Sequence, residues 1–204
     1  FKAYNLATDE DRIVEYIPPL AVKYQTINEF LLKGEKWQKD DNGFPKTVKK
    51  GGEFWGSDVY NTLDTYNIVD NNKFKLLHEW LFEKIKDYAI TIGYKNKQIN
   101  CKDGWFNFYK KYDYQDVHDH EGNDISAVYY LSVPKNSGNI MFYTHEAKGT
   151  YICHDPNNIF TWKTYTIEPK EGMLLMFKSN LQHRVDPNKT NQSKITLAYN
   201  FKVL

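Results

Sequence analysis

The stretch Ser193-Lys194-Ile195-Thr196-Leu197-Ala198-Tyr199-Asn200-Phe201 alternates strictly. Successive side chains of a β-strand point to opposite sides, so Lys194, Thr196, Ala198 and Asn200 share one face. Ile195, Leu197, Tyr199 and Phe201 share the other. Just upstream, Gly172-Met173-Leu174-Leu175-Met176-Phe177 is a short apolar run of the buried-strand type, and it delivers His183 a few residues past its end. The polar face of the last strand therefore adjoins a histidine.

Working outward, the same rhythm continues toward the N-terminus. Trp105, Asn107 and Tyr109 share one face, Ala127 to Val133 is rich in β-formers, and Ile140 to Tyr143 follows the turn Asn136-Ser137-Gly138-Asn139. Thr161 to Ile167 alternates, and Glu168 to Gly172 turns back into the apolar run. Before Trp105 the period changes. Phe74, Leu77, Leu81, Ile85, Tyr88 and Ile92 recur at three- and four-residue steps, which predicts a helix over Asn72 to Ile92 with Gly93 as its stop. In residues 1–50, Ile13, Val14 and Ile17 precede Pro18-Pro19, and Ile27, Phe30 and Leu31 follow, which reads as short helices broken at the proline pair. Lys39 to Gly52 reads as a polar loop carrying Lys46, Lys49 and Lys50. The fold class expected is α+β, with a closed or sandwich-like β core and N-terminal helices packed on its outside. A single domain over 1–204 is expected, mainly helical in 1–100 with the β core in 101–204.

The 204 residues suffice for one substantial core. A formal net charge of +1 argues against a large nucleic-acid footprint, which needs a clustered basic face. Cys101 and Cys153 are too few for a disulfide framework and lack zinc-type spacing, so a reducing, cytoplasmic setting is expected. No segment has the length of a membrane span or the shape of a signal peptide. The chain opens on Phe1 rather than methionine, as a processed or trimmed terminus does.

The chemistry centres on His118-Asp119-His120. Side chains two apart on a strand point the same way, so His118 and His120 can hold one metal ion while Asp119 faces away, and His183 from a later strand completes a facial set. The remaining histidines read differently. His78 lies near an apolar helical stripe without a ligand neighbour and reads as packing or surface. His145 and His154, beside Glu146 and Asp155, read as parts of a solvated hairpin.

From Trp105 to Val203 the sequence resembles the double-stranded β-helix (jelly-roll, cupin-like) of the 2-oxoglutarate and Fe(II)-dependent oxygenases. The likeness rests on Trp105-Phe106-Asn107, His118-Asp119-His120, Ser126 to Leu131, Pro169 to Gly172, His183 and Asn200. Within that superfamily it most resembles a bacterial and phage branch with an HxH…H pattern, and more distantly the prolyl 4-hydroxylases. The resemblance implies that His118 is the first and His183 the distal iron ligand. It also implies that Lys194, with Thr196 as hydroxyl partner, meets the far carboxylate of 2-oxoglutarate, and that Tyr109, Tyr130 and Asn107 lie beside that cosubstrate. A lysine offers a point charge where many relatives carry a bidentate arginine. The usual triad places a carboxylate two residues after the first histidine, where this chain has His120. Either three imidazoles hold the iron, or Asp119, Glu121 or Asp124 supplies an oxygen.

The function this implies is hydroxylation of a C–H bond in a protein, peptide or amino-acid-like substrate, with O2 and 2-oxoglutarate consumed and succinate and CO2 released. Two alternatives stand beside it. A cupin-like three-histidine dioxygenase without a keto acid explains His120 but leaves Lys194 idle, and a non-catalytic module on the same fold is the other.

Overall fold

In the computed structural model, the residues described are 2–5, 12–16, 48–52, 55–63, 67–71, 74–95, 97–143 and 164–204. They form strands β1 (Lys2–Asn5), β2 (Arg12–Tyr16), β3 (Val48–Gly52) and β4 (Trp55–Asn61), then helix α1 (Lys75–Thr91). Eight strands follow: β5 (Ile99–Tyr109), β6 (Gln115–His118), β7 (Ile125–Ser132), β8 (Ile140–Tyr143), β9 (Thr164–Ile167), β10 (Leu174–Lys178), β11 (His183–Val185) and β12 (Lys194–Val203).

The last eight strands divide between two antiparallel sheets. One runs β10-β7-β12-β5 and the other β6-β11-β8-β9, so most successive strands cross from sheet to sheet. That alternation is the jelly-roll, or double-stranded β-helix. β2 and β1 extend the first sheet beyond β10. β4 extends it beyond β5, carries β3, and meets the second sheet where Ser57 pairs with Gln115.

β12 is central because it is flanked on both sides, by β5 and β7, and is buried on both faces. The alternation of its sequence assigns each face a task. Ile195, Leu197, Tyr199 and Phe201 look outward into a core shared with Leu77, Leu81, Ile85 and Tyr88 of α1. On the inner face Lys194, Thr196 and Ala198 pair with Tyr109, Asn107 and Trp105 of β5. Cross-strand partners point to the same side, so these six side chains enter one inter-sheet space. A second core, including Tyr130, Phe142, Leu175 and Phe177, fills the rest of that space.

α1 ends as expected. Gly93, at φ +101°, reverses the chain while Tyr94 N–H returns to the Ala89 carbonyl at 2.9 Å. The helix begins at Lys75, and Asn72 lies outside the described residues. His78 does pack, at 6% exposure, with its Nε2 3.2 Å from the Tyr199 hydroxyl.

Two expectations fail. Arg12–Tyr16, read as helix, is a strand between β1 and β10, and the end of the Lys39 to Gly52 loop is strand β3. Neighbouring strands supply the hydrogen-bond partners there, and tertiary pairing of this kind overrides local preference. Pro18-Pro19, Ile27, Phe30, Leu31 and Lys46 lie outside the described residues.

Candidate metal centre and cosubstrate pocket

His118 is the last residue of β6 and the backbone partner of His183, the first residue of β11. His120 lies two residues beyond the end of β6, not on it. Its direction comes from the turn, where its N–H donates to the Ser179 carbonyl at 2.8 Å. The nitrogens of His118, His120 and His183 that could bind a metal lie within 4.8 Å of one another. Ring centres are 4.3 Å apart for His118 and His183, 5.2 Å for His120 and His183, and 5.5 Å for His118 and His120.

Two of the rings are held through Nδ1. His118 Nδ1 meets the Asp116 carbonyl at 2.7 Å and His183 Nδ1 meets the Leu181 carbonyl at 2.9 Å, while the Asn200 side chain beside His120 favours its protonated form. A carbonyl that accepts from Nδ1–H leaves Nε2 with its lone pair, the form that binds metal. Burial pushes all three pKa values down, that of His120 to about 4, so the imidazoles are neutral at pH 7. Among the described residues, no carboxylate joins this cluster. Asp124 is engaged elsewhere, accepting from Val203 N–H at 2.9 Å and facing Lys202 at 3.3 Å, and Glu121 is exposed.

Lys194 is 1% exposed. Its ammonium donates to the Gly138 carbonyl at 3.1 Å and stands 4.4 Å from the centre of the Tyr109 ring. Among the described residues it has no carboxylate within ion-pair distance. Burial therefore lowers its pKa to about 7, against a weaker opposing pull from Asp186. A buried ammonium held by a carbonyl and a ring face is a seat for an anion.

Between Lys194 and the histidines runs a narrow cavity of about 30 Å³, walled by Tyr109, Tyr130, Asn107 and Thr196. Ala198 and Trp105 bring its far wall to His120, whose ring centre is 6.0 Å from that of Trp105. The four residue steps from Lys194 to Ala198 span roughly 13 Å of strand, room for a lysine side chain and a short diacid laid end to end.

Sequence reasoning missed two cavity features. Gln115 lines the cavity with His118, three residues on, although strict alternation would turn it away. A register irregularity between His183 and Val185 brings it in, and nothing in the sequence marks that bulge. The Gly138 carbonyl was read only as part of a turn. His145 and His154 lie outside the described residues.

The fold and this arrangement define a jelly-roll protein with a three-histidine centre beside a cationic pocket. Residues 103–200 match the family model described as "Putative 2OG-Fe(II) oxygenase". Through that segment, 98 of its 204 residues, the chain is similar to the 2-oxoglutarate- and Fe(II)-dependent oxygenases. Solved structures agree in fold. An oxidoreductase of the 2OG-Fe(II) oxygenase family from Burkholderia pseudomallei is 12% identical, with TM-score 0.61 over 93% of this chain and 85% of the other. A Trichoplax adhaerens prolyl hydroxylase, in complex with a hypoxia inducible factor peptide fragment, is 16% identical with TM-score 0.62 over 97% and 85%. HygX from Streptomyces hygroscopicus, with nickel and 2-oxoglutarate bound, is 12% identical with TM-score 0.61 over 95% and 84%. At these identities the likeness is one of fold. No curated protein matches the chain.

Fe(II) and 2-oxoglutarate are the cofactor and cosubstrate of this superfamily, and the residues present suit both. Converging neutral imidazoles suit a borderline divalent metal, and a buried ammonium suits a carboxylate. Among the described residues no helix is long and apolar enough to cross a membrane.

Proposed function

We propose that this chain is a dioxygenase that hydroxylates a C–H bond of a protein, peptide or amino-acid-like substrate, converting 2-oxoglutarate and O2 to succinate and CO2. The observation that carries this reading is the meeting of His118, His120 and His183 with the buried Lys194 ammonium in one cavity. In this reading the three histidines hold iron, and Asp119, Glu121 and Asp124 do not. When bound, the iron couples oxidative decarboxylation of the keto acid to oxidation of the substrate.

The protein's part is position and electrostatics. Lys194 pairs with the remote carboxylate, Thr196 and Tyr109 line the path of the diacid, and Tyr130 closes the wall. A cavity of about 30 Å³ holds little more than one water, so entry of the diacid moves side chains apart, Lys194 leaving Gly138 first. Once inside, the carboxylate replaces a carbonyl with a full counter-charge.

The test is succinate formation by purified protein supplied with Fe(II), 2-oxoglutarate and O2, measured with and without candidate peptides and amino acids. Absence of 2-oxoglutarate turnover under every condition refutes the reading. His120 favours the alternative of a three-histidine dioxygenase that uses no keto acid. Oxygen uptake that needs iron but not 2-oxoglutarate identifies that case.

A further inference from the structure

Gln115, Tyr109, Thr196, Asn107 and Trp105 are joined in a hydrogen-bonded chain along the cavity wall. The Trp105 indole lies 3.2 Å from Asn107 Oδ1, Asn107 Nδ2 lies 3.4 Å from Thr196 Oγ1, and the Tyr109 hydroxyl lies 2.6 Å from Gln115 Oε1. The Thr196 hydroxyl stands beside that of Tyr109 and favours its ionised form, as a group donating toward it does. An indole N–H can only donate. Asn107 must therefore accept with its oxygen and donate with its amide nitrogen. Thr196, having accepted that bond, turns its own proton to Tyr109, and the Tyr109 proton goes to Gln115. Every link runs the same way, and the last residue is left presenting its Nε2 donors. Among the described residues, those donors have no partner.

The position of that amide gives it a target. Lys194 stands over the ring of the same tyrosine whose hydroxyl holds Gln115, and Gln115 lines the cavity three residues before His118. A diacid stretched from the Lys194 ammonium to the histidines passes the carboxamide. We propose that Gln115 is a further binding residue whose amide N–H donates to an oxygen of 2-oxoglutarate, and that Trp105 is a positioning residue that fixes which end of the amide faces the ligand. This rests on the dioxygenase reading above and adds to it a contact and the device that aims it.

The test is calorimetric titration of 2-oxoglutarate into nickel-loaded protein, with nickel binding measured separately. Gln115→Met, which keeps length but loses the donor, raises the dissociation constant about tenfold or more, the usual effect of a lost hydrogen bond to a charged group. Gln115→Glu still accepts from Tyr109 but turns a carboxylate toward the diacid, and it binds 2-oxoglutarate more weakly still. Trp105→Phe weakens binding by less, and Trp105→Phe combined with Gln115→Met is no worse than Gln115→Met alone, because Trp105 acts through the amide; a purely structural tryptophan would add its own loss. Nickel uptake remains in all four variants. Wild-type affinity in Gln115→Met, or in Gln115→Glu, overturns the proposal while leaving the dioxygenase reading intact. Wild-type protein that binds nickel but no 2-oxoglutarate overturns both.

Discussion

His118 and His183 are backbone partners across β6 and β11, with ring centres 4.3 Å apart. The site thus depends on the register of a two-strand ladder, since a slip of one residue would turn one imidazole to the other face. Two of the three nitrogens are placed by regular β-structure. The third, on His120, is placed by a turn tied to Ser179.

From this follows the first prediction. His118→Ala and His183→Ala each abolish tight Fe(II) binding, because two protein nitrogens hold too little of an ion that also keeps water. Their apo proteins stay folded, since the cores on both sides of β12 are untouched. Anaerobic iron titration followed by thermal melting checks this. Metal raises the melting temperature of the wild type and leaves that of both variants unchanged.

The second prediction separates His120 from its acidic neighbours. His120→Ala loses the metal, and His120→Asp retains it by restoring the common pair of histidines with one carboxylate. Glu121→Ala and Asp119→Ala keep it. Asp124→Ala keeps it too but loses about 1 kcal/mol or more of stability, because its carboxylate satisfies the Val203 N–H and faces Lys202. Metal titration and urea melts on the five variants decide the matter.

How much of this was legible in the sequence depends on what set each residue's direction. The alternation in 193–201 foretold both faces of β12, because the period is intrinsic to a strand and one face had a helix to bury against. The periodicity of α1 and its Gly93 stop were equally local. β2 and β3 were misread because their partners, β10 and β4, are far away in sequence or follow later. His120 was expected to share a strand face with His118. Its ring does join the cluster, but β6 has already ended, and the Ser179 carbonyl sets its direction. Gln115 was invisible because a bulge, not a period, turns it inward.

The third prediction concerns pH. Burial holds the pKa of Lys194 down to about 7, from an ordinary 10.5, so the ammonium of the free protein loses its proton as pH rises past 7. A bound dicarboxylate favours the charged form and raises that pKa. Above pH 7, binding therefore takes up a proton and affinity falls by up to tenfold per pH unit, whereas near pH 6 lysine is already charged and affinity is flat. Calorimetry in buffers of different ionisation enthalpy reads the proton directly. Lys194→Ala abolishes the uptake and costs about 2–5 kcal/mol, roughly thirty-fold or more in affinity.

The fourth prediction lies outside the cavity. Burial between α1 and β12 holds the pKa of His78 down to about 4, against 6.5 in the unfolded chain. Between those values the unfolded state binds the extra proton, so stability is full above pH 6.5 and is lost as pH falls toward 4. The cavity histidines contribute a fall of the same sign. His78→Gln removes only its own share, so the variant loses less stability than wild type between pH 7 and pH 4.5, as urea melts at the two pH values show.

The last prediction concerns the carbonyl that holds Lys194. Gly138 has φ +91°, and a Cβ built there would stand 2.1 Å from the Asp186 carbonyl oxygen. No side chain fits that space, and the left-handed conformation alone costs a non-glycine residue roughly 1–2 kcal/mol. Gly138→Ala must therefore push apart the turn after β7 and the segment after β11, moving the carbonyl that accepts from Lys194 at 3.1 Å. Stability falls by about 2 kcal/mol or more, and the free ammonium loses its hydrogen bond. Iron affinity is unchanged, because none of the three histidines lies on either segment, while the 2-oxoglutarate dissociation constant shifts with the displaced lysine. Parallel metal and 2-oxoglutarate titrations at a temperature where the variant is fully folded measure the two effects separately. A variant that keeps wild-type stability would mean that the chain around Asp186 yields more easily than its packing implies.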